Sequence, residues 1–238
     1  MMAEAKRNQA GEAAPELKTP RTRPVVAIDG PVGAGKSTVA RRLARTLGFE
    51  YLNTGAMYRA VGVAAHYISI DDRAPDQVLE QLLDSITISF QGERVLLNGK
   101  DVSNEISLPE IGDLASRLST RQMIRDYLRK LQRAAGEAGA IVIEGRDIGT
   151  AIFPDAEFKF FLTAELGVRA ARRFSELSAS GIATSTAEVR KQLEERDRRD
   201  QQRALAPLKQ ADDAIVIDSS GLDVEEVVHA MLDRIEHQ

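Results

Sequence analysis

The run Gly30-Pro-Val-Gly-Ala-Gly-Lys36-Ser37 constrains the fold of this chain more than any other feature. It fits Gly-x-x-x-x-Gly-Lys-[Ser/Thr] in the setting that pattern requires. Before it, Val25-Val-Ala-Ile28-Asp29 is an apolar, β-branched run that predicts a buried strand. After it, Val39, Leu43, Ala44 and Leu47 recur at helical spacing, with Arg41, Arg42 and Arg45 between them. Strand, glycine-rich turn and helix together make a phosphate cradle. The glycines let backbone N–H groups converge on phosphate oxygens, and the helix N-terminus adds a favourable dipole. Gly30, Pro31, Val32, Gly33, Ala34, Gly35, Lys36, Ser37 and Thr38 are therefore the candidate triphosphate loop. Lys36 would reach the β- and γ-phosphates, and the Ser37 hydroxyl would face a Mg2+ ion.

The chain has 238 residues, enough for one large α/β domain with small insertions. Its formal net charge of −4 argues against a general nucleic-acid binder, which needs a basic field. No apolar stretch approaches the roughly 18–20 residues needed to span a membrane, so no membrane partner is expected. Cysteine is absent, which excludes disulfides and cysteine–zinc sites and fits a cytoplasmic location. The expected state is a monomer. Residues 1–23 differ in character: five basic and three acidic residues, several Ala and Pro, and Leu17 as the one large aliphatic residue besides Met1 and Met2. This composition predicts a disordered extension without the apolar core of a signal peptide.

The domain is expected over 24–238. Residues 49–52 read as a second strand and 56–67 as a helix. Between about 70 and 107 the texture changes: Ile86-Thr-Ile88-Ser-Phe90 and Arg94-Val-Leu-Leu-Asn98 are joined by Gln91-Gly92-Glu93, which predicts a small antiparallel insertion. Pro109 opens helical sequence, and Met123, Ile124, Tyr127, Leu128 and Leu131 form a helical stripe. Arg121, Arg125, Arg129 and Arg133 follow at i+4 steps, a row expected to be a solvated face. The parallel strands resume at 141–143, 158–162 and 214–217, and a helix closes the chain at about 224–235. Strands alternating with helices give a doubly wound parallel sheet of about five strands, flanked by helices. Asp29, Asn53 and Glu144 fall at strand ends, where such sheets carry their chemistry.

Three further clusters bear on the reaction. Thr54-Gly-Ala-Met-Tyr-Arg59 follows the second strand. Glu144-Gly-Arg146-Asp147-Ile-Gly-Thr150 follows a buried strand, and Glu144 holds the position where a carboxylate can retain a water on Mg2+. The third is the densest: Arg169, Arg172 and Arg173 at i, i+3 and i+4, then Arg196, Arg199, Asp200 and Arg203. Between them a polar stretch around Gly181 suits a hinge, so residues 169–205 read as a helical, arginine-rich lid. Joining a triphosphate to a monophosphate gathers about six negative charges in one dry site, more than one lysine and one Mg2+ neutralise. Guanidinium groups suit that task.

These clusters resemble the bacterial cytidylate kinases over nearly all of residues 25–235, through the four motifs just quoted, Phe153-Pro-Asp155, Glu195-Arg-Asp-Arg-Arg-Asp200 and Ala206-Pro207-Leu208. The resemblance implies ATP as donor with Mg2+, and CMP or dCMP as acceptor. It divides the domain into a core (24–54, 138–168 and 206–238), a monophosphate-binding region (about 55–137) and the lid. It implies that Arg59, Arg146 and Arg196, helped by Arg203, hold the CMP phosphate, that Asp200 contacts the sugar, and that Ser116, Arg125 and Asp147 read cytosine. Lys36, Arg169, Arg172 and Arg196 become the catalytic set, with Ser37 and Glu144 (through water) toward Mg2+. A carboxylate at Asp147 suits the cytosine amino group and repels the uracil oxygen.

Two positions depart from the family pattern. Asn53 stands where aspartate is common, and Glu144 where aspartate is frequent. The competing readings are another small-substrate kinase built on the same loop, and a regulatory GTPase. The latter rests on Asn98-Gly-Lys-Asp101, which has the wrong order for a guanine-reading motif and falls in an expected hairpin.

Overall fold

The computed structural model describes residues 21 and 23–237. Its elements in chain order are β1 (Val25–Asp29), α1 (Lys36–Leu47), β2 (Glu50–Asn53), α2 (Thr54–Tyr67), α3 (Asp76–Ser85), β3 (Ile88–Gln91), β4 (Arg94–Leu97), β5 (Lys100–Asp101), α4 (Pro109–Leu118), α5 (Gln122–Ala135), β6 (Ile141–Glu144), β7 (Phe158–Thr163), α6 (Leu166–Ala179), α7 (Thr186–Gln202), β8 (Ile215–Asp218) and α8 (Val224–Glu236). Five parallel strands form the main sheet in the order β2-β6-β1-β7-β8.

Strand β1 is buried at every position because helices cover both faces of the sheet. Its period-two alternation divides the core. Val25 and Ala27 join Leu52, Ile141 and Ile143 against α2, α4 and α5. Val26 and Ile28 face the other way, with Val142, Phe160 and Leu162, onto α1 and α8. Each large aliphatic side chain so enclosed contributes about 1.5–3 kcal/mol, which fixes the register of the strand that ends in the phosphate loop. Gly30 follows at φ 147°, and a Cβ there would lie 1.9 Å from the Leu162 carbonyl oxygen, so no other residue fits.

The insertion is only partly antiparallel. Strands β3, β4 and β5 form the expected sheet, but residues 76–85 are helix α3. Leu79, Leu82 and Leu83 sit at i, i+3 and i+4 and are all buried. The Asn98-Gly99 pair makes the β4–β5 turn inside this insertion, with both residues at positive φ. After β6 the chain enters a wide π-type turn, Ile148–Ile152. The lid pair α6 and α7 has its own small core of Ala170, Leu177, Val189 and Leu193. Among the described residues, no helix is long and apolar enough to cross a membrane. The expected extension lies outside the described residues except for Arg21 and Arg23. Arg21 is fixed to the domain, donating to the Asp155 carbonyl at 3.0 Å and pairing with Glu157 at 3.1 Å.

Candidate active site

The phosphate loop runs from the end of β1 into α1. Gly35 at φ 90° precedes α1, and no side chain caps that helix, in contrast to the capping boxes that close the N-termini of α7 and α8. Its first N–H groups are therefore free for an anion. Lys36 is buried and folds back to donate to the Pro31 carbonyl at 2.7 Å. Burial, then the Arg146 charge, pushes its ammonium down to about 7.

Glu144 ends β6 directly opposite Asn53 in the β2–β6 register. Its Oε1 accepts the Tyr51 hydroxyl at 2.7 Å. Asn53 Oδ1 accepts the Ala56 N–H at 3.0 Å, so the departure at this position is a helix cap for α2. Asn53 and Glu144 line the cavity, whereas Asp29 turns to the neighbouring loop, each carboxylate oxygen accepting one N–H, from Ile148 and Gly149, at 2.8 Å. Among the described residues no three His, Cys, Asp or Glu side chains cluster as a metal site. The Ser37 hydroxyl and the Glu144 carboxylate are hard oxygen donors that fit Mg2+ carried in by nucleotide phosphates.

A cavity of about 990 Å³ opens over the phosphate loop. Arg59 (α2), Arg146 (after β6), Arg173 (α6), Arg196 and Arg199 (α7) all reach its wall. Arg146 Nε donates to Asp200 at 3.0 Å, and Arg59 donates to the Ile106 carbonyl at 3.1 Å. Arg196 Nε is enclosed and has no acceptor. Burial, then Arg146 and Arg59, pushes the Arg196 guanidinium down to about 9. Burial, then Arg173 and Arg146, lowers Arg59 as well. Burial works to raise the Asp200 carboxyl, yet Arg146, Arg196 and Arg203 hold it below the usual carboxylate range. Guanidinium groups thus crowd one another along this part of the wall, Arg59 and Arg196 each lowered by the charge of their neighbours.

Asp147, Arg125 and Arg203 form a separate enclosed cluster. Asp147 takes an ion pair from Arg125 on one oxygen and from Arg203, at 3.2 Å, on the other. The Ser116 hydroxyl accepts from Arg199 at 2.9 Å, and Arg199 also pairs with Asp113 at 3.1 Å. Through Arg199 the lid touches α4 on the opposite side of the cavity.

The lid arginines divide differently from expectation. Arg169 donates to the Val32 carbonyl of the phosphate loop at 3.1 Å, to the Ala164 carbonyl at 3.0 Å, and pairs with Asp197 at 2.6 Å. Arg172 donates to Ser219, at 3.0 Å to its hydroxyl and 2.6 Å to its carbonyl, with Nη1 3.9 Å from where a Cβ on Gly35 would lie, while Arg173 lines the cavity. Arg199, Tyr51 and the anchoring carboxylate of Asp29 join the site through contacts that sequence spacing does not reveal. The arginine row on α5 is only partly the solvated face expected: Arg129 is exposed, but Arg125 is buried and Arg121 and Arg133 are half-buried. Arg121 donates to the Ala74 carbonyl at 2.9 Å, Arg125 reaches Asp147, Arg129 reaches the Ala151 carbonyl, and Arg133 donates to the Ile152 carbonyl at 3.0 Å and Asp155 at 2.8 Å.

Residues 26–237 match the family model described as cytidylate kinase. Curated cytidylate kinases are similar over most of both chains. That of Geobacter sp. strain M21 is 49% identical over 211 residues, 87% of this chain and 90% of its own. That of Thermodesulfovibrio yellowstonii is 48% identical over 218 residues (89% and 97%), and that of Thermosipho melanesiensis 46% over 207 (87% and 94%). Among solved structures, an uncharacterized protein from Eubacterium ventriosum shares the fold at a TM-score of 0.51, with 15% identity, covering 91% of this chain and all of its own.

Proposed function

The chain belongs to the cytidylate kinase family and transfers the γ-phosphoryl group of ATP to CMP or dCMP, giving ADP and CDP or dCDP; we propose that the cavity between the phosphate loop and the arginine wall is where it does so. The observation that carries this placement is the arginine wall, in which Arg196 Nε is enclosed without an acceptor while the neighbouring Arg59, Arg146 and Arg173 share the same space. A bound polyanion supplies the missing acceptor and offsets the crowded positive charge.

ATP phosphates lie in the loop 30–38, on Lys36 and the free N–H groups of α1. The CMP phosphate lies on Arg59, Arg146 and Arg196. Ser37 and, through a water, Glu144 would hold Mg2+ arriving with ATP, and the ion would supply further neutralisation of phosphate charge. Asp147, held between Arg125 and Arg203, presents its carboxylate to the cytosine amino group, with Ser116 nearby. Asp200 serves the sugar while tethering Arg146. Arg172, beside Gly35 of the phosphate loop, serves the transferred group, with Arg173 on the cavity wall next to it, and Arg169 locks the lid to the Val32 carbonyl. The acceptor oxygen is already ionised near neutral pH, so the residues bind, align and neutralise, and no strong general base is needed.

The test is ADP release from Mg-ATP with CMP, dCMP, UMP and AMP offered separately. Rapid release with CMP and dCMP and little with UMP or AMP is expected. Equal rates with UMP would remove the base-reading role of Asp147.

A further inference from the structure

We propose that Tyr51 is a positioning residue for phosphoryl transfer: its hydroxyl fixes the Glu144 carboxylate beside Ser37, leaving Glu144 Oε2 for a water on the nucleotide-borne divalent cation. The inference rests on the reading of Glu144 given above. It begins with the strand register. Asn53 and Glu144 are directly opposed at the ends of β2 and β6, and Tyr51 sits two residues back on the same face of β2. Asn53 is uncharged, and its amide oxygen is committed to the Ala56 N–H. The charge at these two strand ends therefore rests on Glu144.

A glutamate carries one more rotatable bond than an aspartate, so its carboxylate has more staggered positions to choose from. The nearby Lys36 ammonium feels the Glu144 charge. An unrestrained Glu144 would be drawn toward it and would occupy the cation meant for phosphate. The Tyr51 hydroxyl, donating to Oε1 at 2.7 Å, prevents this. Oε2 has no protein donor among the described residues. The ring is itself held: Arg41, one helical turn after Ser37, lies over it at 5.7 Å from the centroid and pairs with Glu93 of the insertion hairpin at 3.3 Å. The tyrosine is packed in place before any nucleotide arrives, which is what a positioning group requires.

Calorimetric titration of the full chain with ATP, in Mg2+ and separately in EDTA, tests this. The quantity read is the tightening that Mg2+ confers. Tyr51→Phe keeps the ring and removes one hydrogen bond to a charged group. It should cut that tightening by about tenfold and leave the EDTA affinity and the KM for CMP unchanged. Glu144→Gln should abolish the tightening, and adding Tyr51→Phe to it should change nothing further. Equal weakening in Mg2+ and EDTA, or additive effects in the double variant, would overturn the role of Tyr51. Abolition by Glu144→Gln with none of the loss in Tyr51→Phe would remove Tyr51 alone. Full tightening retained by Glu144→Gln would remove the reading of Glu144 itself, and the inference with it.

Discussion

The α5 arginines and the cavity arginines are the same side chain in opposite electrical settings. On α5, Arg125, Arg129 and Arg133 each end on an acceptor belonging to the loop after β6: Asp147, the Ala151 carbonyl, and the Ile152 carbonyl with Asp155. Arg133 also lies over Phe153, 4.5 Å from the ring centroid. Around the cavity, Arg59, Arg173 and Arg196 stand among like charges, with Asp200 the carboxylate bonded to Arg146. The first group holds a loop in place, and its energy is realised when the protein folds. The second is crowded by like charge, with Arg196 Nε left without an acceptor, and its energy is realised when phosphate binds. A satisfied guanidinium points to architecture and an unsatisfied one to a ligand.

The comparison predicts opposite results from two substitutions. Arg146→Ala should lower kcat/KM for CMP by about 10²–10³-fold, as for removal of one preorganised donor to transition-state charge, while ATP affinity survives. Equal loss of ATP affinity would break the distinction, because Arg146 would then be supporting the loop rather than meeting CMP. Arg133→Ala should do the reverse. Losing a charged hydrogen bond, a carbonyl contact and a ring contact should destabilise the fold by about 1–3 kcal/mol, and turnover per folded molecule should change little. Chemical denaturation alongside kcat reads both. A fall in kcat without a fall in stability would place Arg133 on the wrong side of the comparison.

Which arginine belongs to which group was only partly legible in the chain. The phosphate loop was, because its strand, glycines and helix are consecutive. The five parallel strands and the closing helix were legible from apolar runs and turn residues. Arg59, Arg146 and Arg196 came from the family resemblance, and all three do reach one cavity. Helix α3 was hidden, since three leucines over ten residues sit beside strands that dominate the local pattern. The α5 row was misjudged because its acceptors lie in residues 147–155, and a helix's own spacing says nothing about what will be packed against it. Arg172 and Arg173 are adjacent, so they differ by about 100° around α6. Sequence spacing leaves open that Arg172 borders Gly35 of the phosphate loop while Arg173 lines the cavity wall.

A third substitution sharpens the contrast from the side of stability. Arg196→Met removes a guanidinium whose Nε is enclosed and unpaired. It should abolish useful turnover and yet raise stability by about 0.5–2 kcal/mol, the usual size of relief when a functional site is relaxed. Added phosphate should raise the melting temperature of the unaltered protein more than that of Arg196→Met. Loss of stability in Arg196→Met would mean the wall is already balanced by partners and stores nothing for CMP.

The smallest expected effect concerns the other side of the loop that α5 holds. Asp29 accepts the Ile148 and Gly149 N–H groups at 2.8 Å, and burial, against those two donors, pushes its carboxyl up to about 6. Because that folded value lies above the ordinary aspartate value of 3.8, the folded protein binds the proton more tightly than the unfolded chain does. Taken alone, Asp29 therefore adds stability at low pH, and that contribution is lost as pH rises from about 4 through about 6. Protonation does not unfold the domain. It does turn one of the two acceptor oxygens into a hydroxyl, a weaker acceptor, so one loop N–H is held less tightly and the segment carrying Arg146 and Asp147 loosens. The KM for CMP should rise a few-fold below pH 6 for this reason. The CMP phosphate itself titrates near pH 6, so the comparison must be with Asp29→Asn, which shares the substrate's titration but not the carboxyl's. Asp29→Asn should show a raised KM with the shallower pH profile. Parallel profiles would mean that the α5 arginines hold the loop without help from Asp29.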